Sequence, residues 1–500
     1  MNQLKAGVVL NYVIIILNIL MGLIYTPYML RTMGQSEYGL YSLVASVISY
    51  LTILDLGFGN AVIRYTAKFR AEGKQTEQYE MFGMFFILYI IIGIIAFVAG
   101  LVLYNNVNNL FGNTMSIYEL DRARIMMLLM IFNVAVTFPF SIFSSIITAY
   151  ENFVFAKSVN IIRIILNTIV MICLLSMGYK AVAMVVVQTI FNLATLIINF
   201  IYCKYRLHIK IIFRRFEWKF FKEVAIYSFW IFLNIILDRV YWSSGQFILG
   251  LVVGTASVAV YAIAVHLAQM FMSFSTAISG VFLPKVTAMV ARSDDKNEIS
   301  DLFIRTGRIQ YTVLSIILFG FITFGKSFIN LWAGGDYMEA YIITVLFFIG
   351  FLPDLIQNIG ISILQARNQL KFRSLLYITV AIISFILQYL GGKKYGIMGC
   401  SIAVSVTLFV CNGLIMNIYY YKTQGLAIIR FWKEIVKMSI MPSILCLVAS
   451  YICSNINIDT WSRLIIAITV FIILYIPLFY KFSSNTEEKT LILNTIKKIL

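Results

Sequence analysis

Long apolar runs broken by short polar stretches recur from one end of the chain to the other, with neither the alternation of a half-buried strand nor the one-sided stripe of a soluble helix. A helix needs about 20 mostly apolar residues to cross the roughly 30 Å hydrocarbon core of a bilayer. Cut at its polar and Gly/Asn-rich breaks, the sequence gives such runs near 7–30, 38–63, 81–104, 123–148, 157–177, 181–203, 224–249, 256–284, 306–329, 340–365, 374–391, 397–420, 437–454 and 463–481. The pattern predicts an all-α polytopic membrane protein with fourteen transmembrane helices and no soluble domain. The first run is longer than a signal-peptide core and no small-residue cleavage site follows it, so it is expected to remain as the first span.

Composition agrees, with 61% hydrophobic and 12% charged residues, far from soluble averages. Charge adds orientation. Lys and Arg gather in cytoplasmic loops, and with the N-terminus inside, 29 of the 39 basic residues fall in inner segments, 8 in outer ones and 2, Arg163 and Arg239, within spans. An even span count with both termini cytoplasmic follows. The net charge of +17 is thereby accounted for by topology, and no nucleic-acid-binding module accompanies it. The basic segment 203–222, interleaved with Phe213, Phe216, Trp218, Phe220 and Phe221, is expected to lie on the anionic inner leaflet.

A weak repeat runs through the chain. MGQSEYGLYSLVAS places Gly34 seven residues before Tyr41, and VGTASVAVYAIAVH places Gly254 seven before Tyr261, an offset of 220. Pro139 and Pro353 mark the fourth span of each half. These matches predict two six-helix bundles in parallel pseudo-repeat, 1–222 with its basic linker and 223–421, followed by two extra C-terminal helices and a tail at 422–500. In such arrangements the substrate path runs between halves near the midplane.

Charges within spans are costly, about 2.5–3.5 kcal/mol at the centre on insertion scales, and are functional candidates by default. In NIILDRV, Asp238 and Arg239 point about 100° apart and cannot pair face to face. With Asn234, Trp242 and Gln246 they fill half the circumference of span seven, an arc suited to a water-filled lumen or to structural bonds with a neighbouring helix. Asp55 lies about three turns from the inner end of span two. Arg163 is close enough to the inner end of span five to snorkel instead of facing substrate. Asp354 follows Pro353, where a lost backbone hydrogen bond often opens a helix toward a cavity. His266 stands alone on span eight and reads more simply as a buried imidazole than as a proton relay.

Enzyme motifs fail on context. GFITFGKS (320–327) matches a phosphate-loop pattern, yet it ends a membrane span where the required strand and helix of a soluble α/β domain are absent. The six cysteines sit in or beside apolar runs without metal spacing, and read as small core residues. Neither a metal site nor a cofactor is predicted.

The stretch LRTMGQSEYGLYSLVASVISYLTILDLGFGNAVIRYTAKF (30–69) resembles the opening of bacterial oligosaccharide flippases, the polysaccharide-transporter branch of the multidrug/oligosaccharidyl-lipid/polysaccharide exporter superfamily. The matching motif residues are Arg31, Gly34, Tyr38, Gly39, Tyr41, Asp55, Gly57 and Arg64. LDRVYWSSGQFILGLVVGTASVAVYAIA (237–264) and TAYENFVFAK (148–157) are similar to later parts of that family. The resemblance implies a flippase that moves an undecaprenyl-diphosphate-linked oligosaccharide from the inner to the outer leaflet of the bacterial plasma membrane by alternating access, for surface polysaccharide biosynthesis. It also implies work alongside a polysaccharide polymerase and other export machinery. Arg239 would then meet phosphate, Tyr241 and Trp242 would stack on sugars, and Arg31 and Arg64 would attract the headgroup at the two mouths or hold loop geometry. The last two spans would suit a groove for the lipid tail. An ion gradient of H+ or Na+, the membrane potential or product removal would supply energy. Rival readings are a multidrug exporter of the same fold and, with no large outer loop to support it, a glycan polymerase.

Overall fold

The computed structural model describes residues 3–213, 218–279, 286, 289–290, 295–367, 369–486 and 488–490. The side chains of Asn234 and Asp238 lie outside the described residues. Every regular element among those described is helical, and they group into two compact units, Met1–Ala259 and Val260–Leu500.

The first unit contains α1 (Gln3–Met33), α2 (Gln35–Leu51), a 3-10 turn (Thr52–Asp55), α3 (Phe58–Ala71), α4 (Gln75–Asn105), the short α5 (Val107–Phe111), α6 (Ile117–Ala149), α7 (Phe153–Ser176), α8 (Ala181–Tyr205), α9 (Trp218–Val252) and the start of α10 (Thr255–Ser279). Helix α6 packs between α4 and α8, α1 lies along α7, and α9 crosses α2 and α3. The core at one end is aromatic: Phe58, Phe82, Phe85, Tyr89 and Phe143 are buried together. Ser116 starts α6 with a capping box, its hydroxyl accepting from the Glu119 amide while the Glu119 side chain accepts from the Ser116 amide, which satisfies two otherwise orphaned donors. The expected domain edge at 222/223 falls near the start of α9, which packs with the first unit.

The second unit comprises the rest of α10, α11 (Lys296–Trp332), α12 (Glu339–Ile356), α13 (Ile359–Ala366), α14 (Lys371–Leu408), a π-helical turn (Phe409–Ile415), α15 (Met416–Lys422), α16 (Ile428–Ser454) and α17 (Trp461–Phe482). Helix α11 packs against α12, α16 and α17, and α12 lies along α14. The phosphate-loop lookalike at 320–327 is continuous helix inside α11. Gly396, at φ 60° and ψ −139°, folds α14 back on itself.

Twelve helical segments among the described residues are long and apolar enough to cross a membrane. One of them, Lys371–Lys422, is 52 residues long and contains the Gly396 fold. The 35-residue α9 is not among the twelve.

The tail is tied into the second unit. Arg308 on α11 is only 3% exposed. Its Nε and Nη2 donate to the Glu488 carboxylate at 2.7 and 2.8 Å, its Nη1 to Glu434 at 2.5 Å and its Nη2 also to the Ser483 carbonyl at 3.1 Å. Removing one partner of a buried pair strands the other charge and typically costs about 3–5 kcal/mol, whereas apolar replacement of the whole pair is often neutral. Glu488→Gln is therefore expected to destabilise the protein by about 3 kcal/mol in thermal or chemical unfolding, with Glu434 limiting the loss. Adding Arg308→Met should recover most of it. A neutral single variant would show that the tail contact holds nothing.

Candidate functional site

The second span is interrupted. Leu56 (φ 53°) and Gly57 (φ 72°) both adopt the left-handed conformation, which no helix continues, so α2 ends in the 3-10 turn and α3 starts afresh at Phe58. A break inside a span frees carbonyl and amide groups that must find partners in protein or in a wet cavity. Asp55 sits at this break, its half-buried carboxylate toward the Gly57 amide, while the nearby Tyr89 hydroxyl is buried without a hydrogen-bond partner. Helix α9 crosses at this level, and the Ser49 hydroxyl of α2 donates to Ser243 at 2.8 Å.

Arg239 lies four residues before Ser243, on the same face of α9. Its side chain is half-buried, and its Nε is buried without a hydrogen-bond partner. Trp242 and Gln246, the described remainder of the expected polar arc, are half-buried as well. On α7, Asn160, Arg163 and Asn167 fall at intervals of three and four, a single face. Asn160, Arg163 and Asn167 are all half-buried, and the Asn167 Oδ1 is buried without a partner. Neither Arg163 nor Arg239 forms an ion pair or hydrogen bond among the described residues. Other polar groups inside this unit do pair: Asn192 donates to Asn133 at 2.7 Å and to Thr137 at 2.8 Å, and Tyr41 donates to Gln188 at 3.1 Å.

The second unit treats its buried charge differently. Asp354 and Arg373 approach to 3.7 Å, Tyr377 donates to Asp354 at 3.1 Å, and Arg373 donates to the Tyr377 hydroxyl at 3.0 Å. Tyr377 also donates to the Asn412 Oδ1, and the Asn412 Nδ2 is buried without a partner. The phenol has one proton to give, so the Asp354 and Asn412 Oδ1 acceptors share it. One turn further on, Asn417 accepts from Gln357 at 2.8 Å and from the Trp432 indole at 2.9 Å. Helix α12 runs through Pro353 and ends at Ile356, and Asp354 is held in this network.

Arg31 is exposed in the last turn of α1. Arg64 is exposed on α3, with its guanidinium 5.8 Å from the Tyr65 ring centre. His266 is half-buried with an unpartnered Nε2. Among the described residues no group of three or more His, Cys, Asp or Glu could hold a metal ion.

The pattern of a family described as polysaccharide biosynthesis protein matches residues 4–290, more than half of the chain. The chain belongs to the polysaccharide biosynthesis protein family. Its fold is shared by a solved lipid II flippase, MurJ, in an inward closed conformation, at TM-score 0.72 and 16% identity over 95% of this chain and 98% of that one. An inward-facing multidrug resistance MATE transporter of the MOP superfamily matches at TM-score 0.61 and 13% identity over 84% and 99%. A second solved MATE multidrug transporter, DinF-BH, matches at TM-score 0.56 and 14% identity over 84% and 94%. No curated protein matches in sequence. The fold of this family member is thus the one seen in a lipid II flippase and in MATE multidrug transporters.

Within the family member, two glycines of the opening motif, Gly34 and Gly39, build one junction. Gly34 (φ 80°) and Gly254 (φ 130°) directly precede α2 and α10, at the positions paired by the sequence repeat. Just beyond them the helices meet: a Cβ on Gly39 would stand 1.8 Å from the Thr255 carbonyl oxygen and 3.2 Å from the Ala259 amide nitrogen. Carboxylates secure the same region. Glu119 accepts from Ser36 and from Thr255, both at 2.6 Å. Glu37 is buried and pairs with Arg122 at 2.9 Å, while also accepting from Tyr118 at 3.2 Å. The sequence reading missed Glu37, Glu119 and Arg122. The one local signal was the Ser116-x-x-Glu119 cap preceding an apolar run.

Proposed function

We propose that this protein flips an undecaprenyl-diphosphate-linked oligosaccharide from the inner to the outer leaflet by alternating access, supplying surface polysaccharide biosynthesis in a bacterial plasma membrane. The observation that carries the reading is the pair of guanidinium groups, Arg163 and Arg239, inside spans of the first unit, neither of which pairs with a described residue. An unpaired cation in a span is retained at a cost, and a diphosphate is an anion that charge-assisted hydrogen bonds from arginine hold well. A carrier selecting cationic drugs would instead leave acids open. Of the described in-span acids, Asp354 is paired with Arg373, while Asp55 faces the Gly57 amide.

The lipid tail needs a different surface. Between α16 and α17 lies a cavity of about 440 Å³ lined by Val448, Ile452, Ile466, Val470 and Leu474, with Arg463 also on its wall. Such a groove suits an isoprenoid chain, with a cation available for its phosphate. Counting the two arms of α14–α15 separately and adding α9 gives the fourteen spans expected from the sequence, and the inward bias of Lys and Arg supports cytoplasmic termini. Coupling to a polysaccharide polymerase belongs to the same reading.

Proteoliposomes decide between substrates. Purified full-length protein should move a lipid-linked oligosaccharide to a leaflet where an added glycosidase trims it, at a rate well above protein-free vesicles, and should not concentrate a fluorescent cationic dye. Dye accumulation without oligosaccharide movement would install the multidrug reading in its place.

A further inference from the structure

The segment that follows α8 is not a slack linker. From Leu207 to Ile211 burial alternates: Leu207, Ile209 and Ile211 are half-buried against the aromatic core of the first unit, while His208 and Lys210 are exposed. Arg206 and Lys204, just before, are exposed too. The backbone is fastened at both ends, with the Ile209 amide donating to the Cys203 carbonyl at 3.0 Å and the Ile212 amide to the Tyr79 carbonyl at 3.2 Å. Gly83 on α4 permits this seat, because a Cβ there would lie 2.1 Å from the Ile212 carbonyl oxygen.

The result is a fixed cationic edge. Arg206, His208 and Lys210 project from a stretch that spans at most about 14 Å, and the neighbouring exposed side chains are aromatic: Tyr205 at 67%, Phe213 at 62% and Trp218 at 73%. Basic groups beside exposed aromatics at a membrane boundary match the two halves of a lipid interface, anionic headgroups and the amphipathic headgroup zone. The acid nearest in the following helix, Glu223, is engaged by the Tyr65 hydroxyl at 2.9 Å.

We infer that the Lys204–Phe213 segment is a docking face for the anionic phospholipid headgroups of the leaflet it borders, with Arg206 and Lys210 as its principal contacts and Tyr205, Phe213 and Trp218 set into the interface. This goes beyond substrate transport and does not depend on it. Each basic residue near an anionic surface contributes roughly a fivefold gain in binding. Because the core holds the segment in place, the charges are presented without an ordering cost.

Hydrogen–deuterium exchange of the full-length protein in nanodiscs tests it locally. In phosphatidylglycerol-containing discs, amides of 204–213 should exchange at least about fivefold more slowly than in pure phosphatidylcholine. The surface double variant Arg206→Gln/Lys210→Gln should exchange at the phosphatidylcholine rate in both, with the rest of the exchange map unchanged. Equal rates in the two lipids, or protection that persists in the double variant, would overturn the inference. Protection reproduced in phosphatidylcholine by added inorganic phosphate would overturn it as well, since the site would then take a free anion and not the leaflet.

Discussion

Replacing Arg239 by Ala is expected to cut the flux of lipid-linked oligosaccharide between about tenfold and hundredfold while leaving the protein as heat-stable as before, or more so. The first half follows from the worth of a hydrogen bond to a charged group, about 1.5–3 kcal/mol, if the guanidinium meets the diphosphate. The second follows from the surroundings: the Nε is buried and unbonded and no described residue pairs with the guanidinium, so no described partner is stranded when it goes. A structural arginine behaves in the opposite way, as Arg308 would, where removal leaves two carboxylates without their cation. Thermal unfolding and a proteoliposome flux assay on the same preparation separate the cases. Lost stability would make Arg239 a structural residue, and unchanged flux would remove it from the substrate path. Lysine at 239 should retain part of the flux, because it keeps the charge but loses the planar fork.

Gly39→Ala should be the most damaging small substitution in the chain. The added methyl would stand 1.8 Å from the Thr255 carbonyl oxygen and 2.6 Å from its carbon, both backbone atoms, so no rotamer change relieves the clash. Helices α2 and α10 must separate there by about an ångström or more to reach ordinary contact distance. That movement would pull Thr255 and Ser36 away from the Glu119 carboxylate they share. Overpacking alone costs about 1–3 kcal/mol, and the lost hydrogen bonds add about 1 kcal/mol each. The variant is expected to unfold at markedly lower temperature, with a serine at 39 no better. Wild-type stability in Gly39→Ala would mean that the helices are not in contact at this point.

The long apolar runs made the spans legible because burial in lipid demands an unbroken sequence signal that no distant residue can replace. Breaks within runs were harder to see. The second span reads as one run from 38 to 63, yet Leu56 and Gly57 turn it aside, because a left-handed pair interrupts helix without lowering hydropathy. Charges in spans were visible as such, but their fates were not. Asp354 stands beside a proline in sequence and beside Arg373 in space, and Arg373 reads on its own as an ordinary cytoplasmic-loop cation. The Glu37–Arg122 pair joins residues from α2 and α6, a separation that no periodicity spans. The glycines of the family motif were legible as a resemblance, and their cause, a backbone-to-backbone crossing, belongs to three dimensions.

A guanidinium within a span also sits in the membrane's electric field. One elementary charge crossing the full field at about 100 mV is worth about 2.3 kcal/mol. On the proposed reading, a diphosphate held by Arg163 and Arg239 would offset their charge, and the outward step would be nearly indifferent to voltage. Empty, the carrier would keep those two positive charges without the substrate's negative ones, and a negative interior would draw them back toward the cytoplasm. The resting potential would thus reset the carrier after each delivery, making the homeward half of the cycle the electrogenic one.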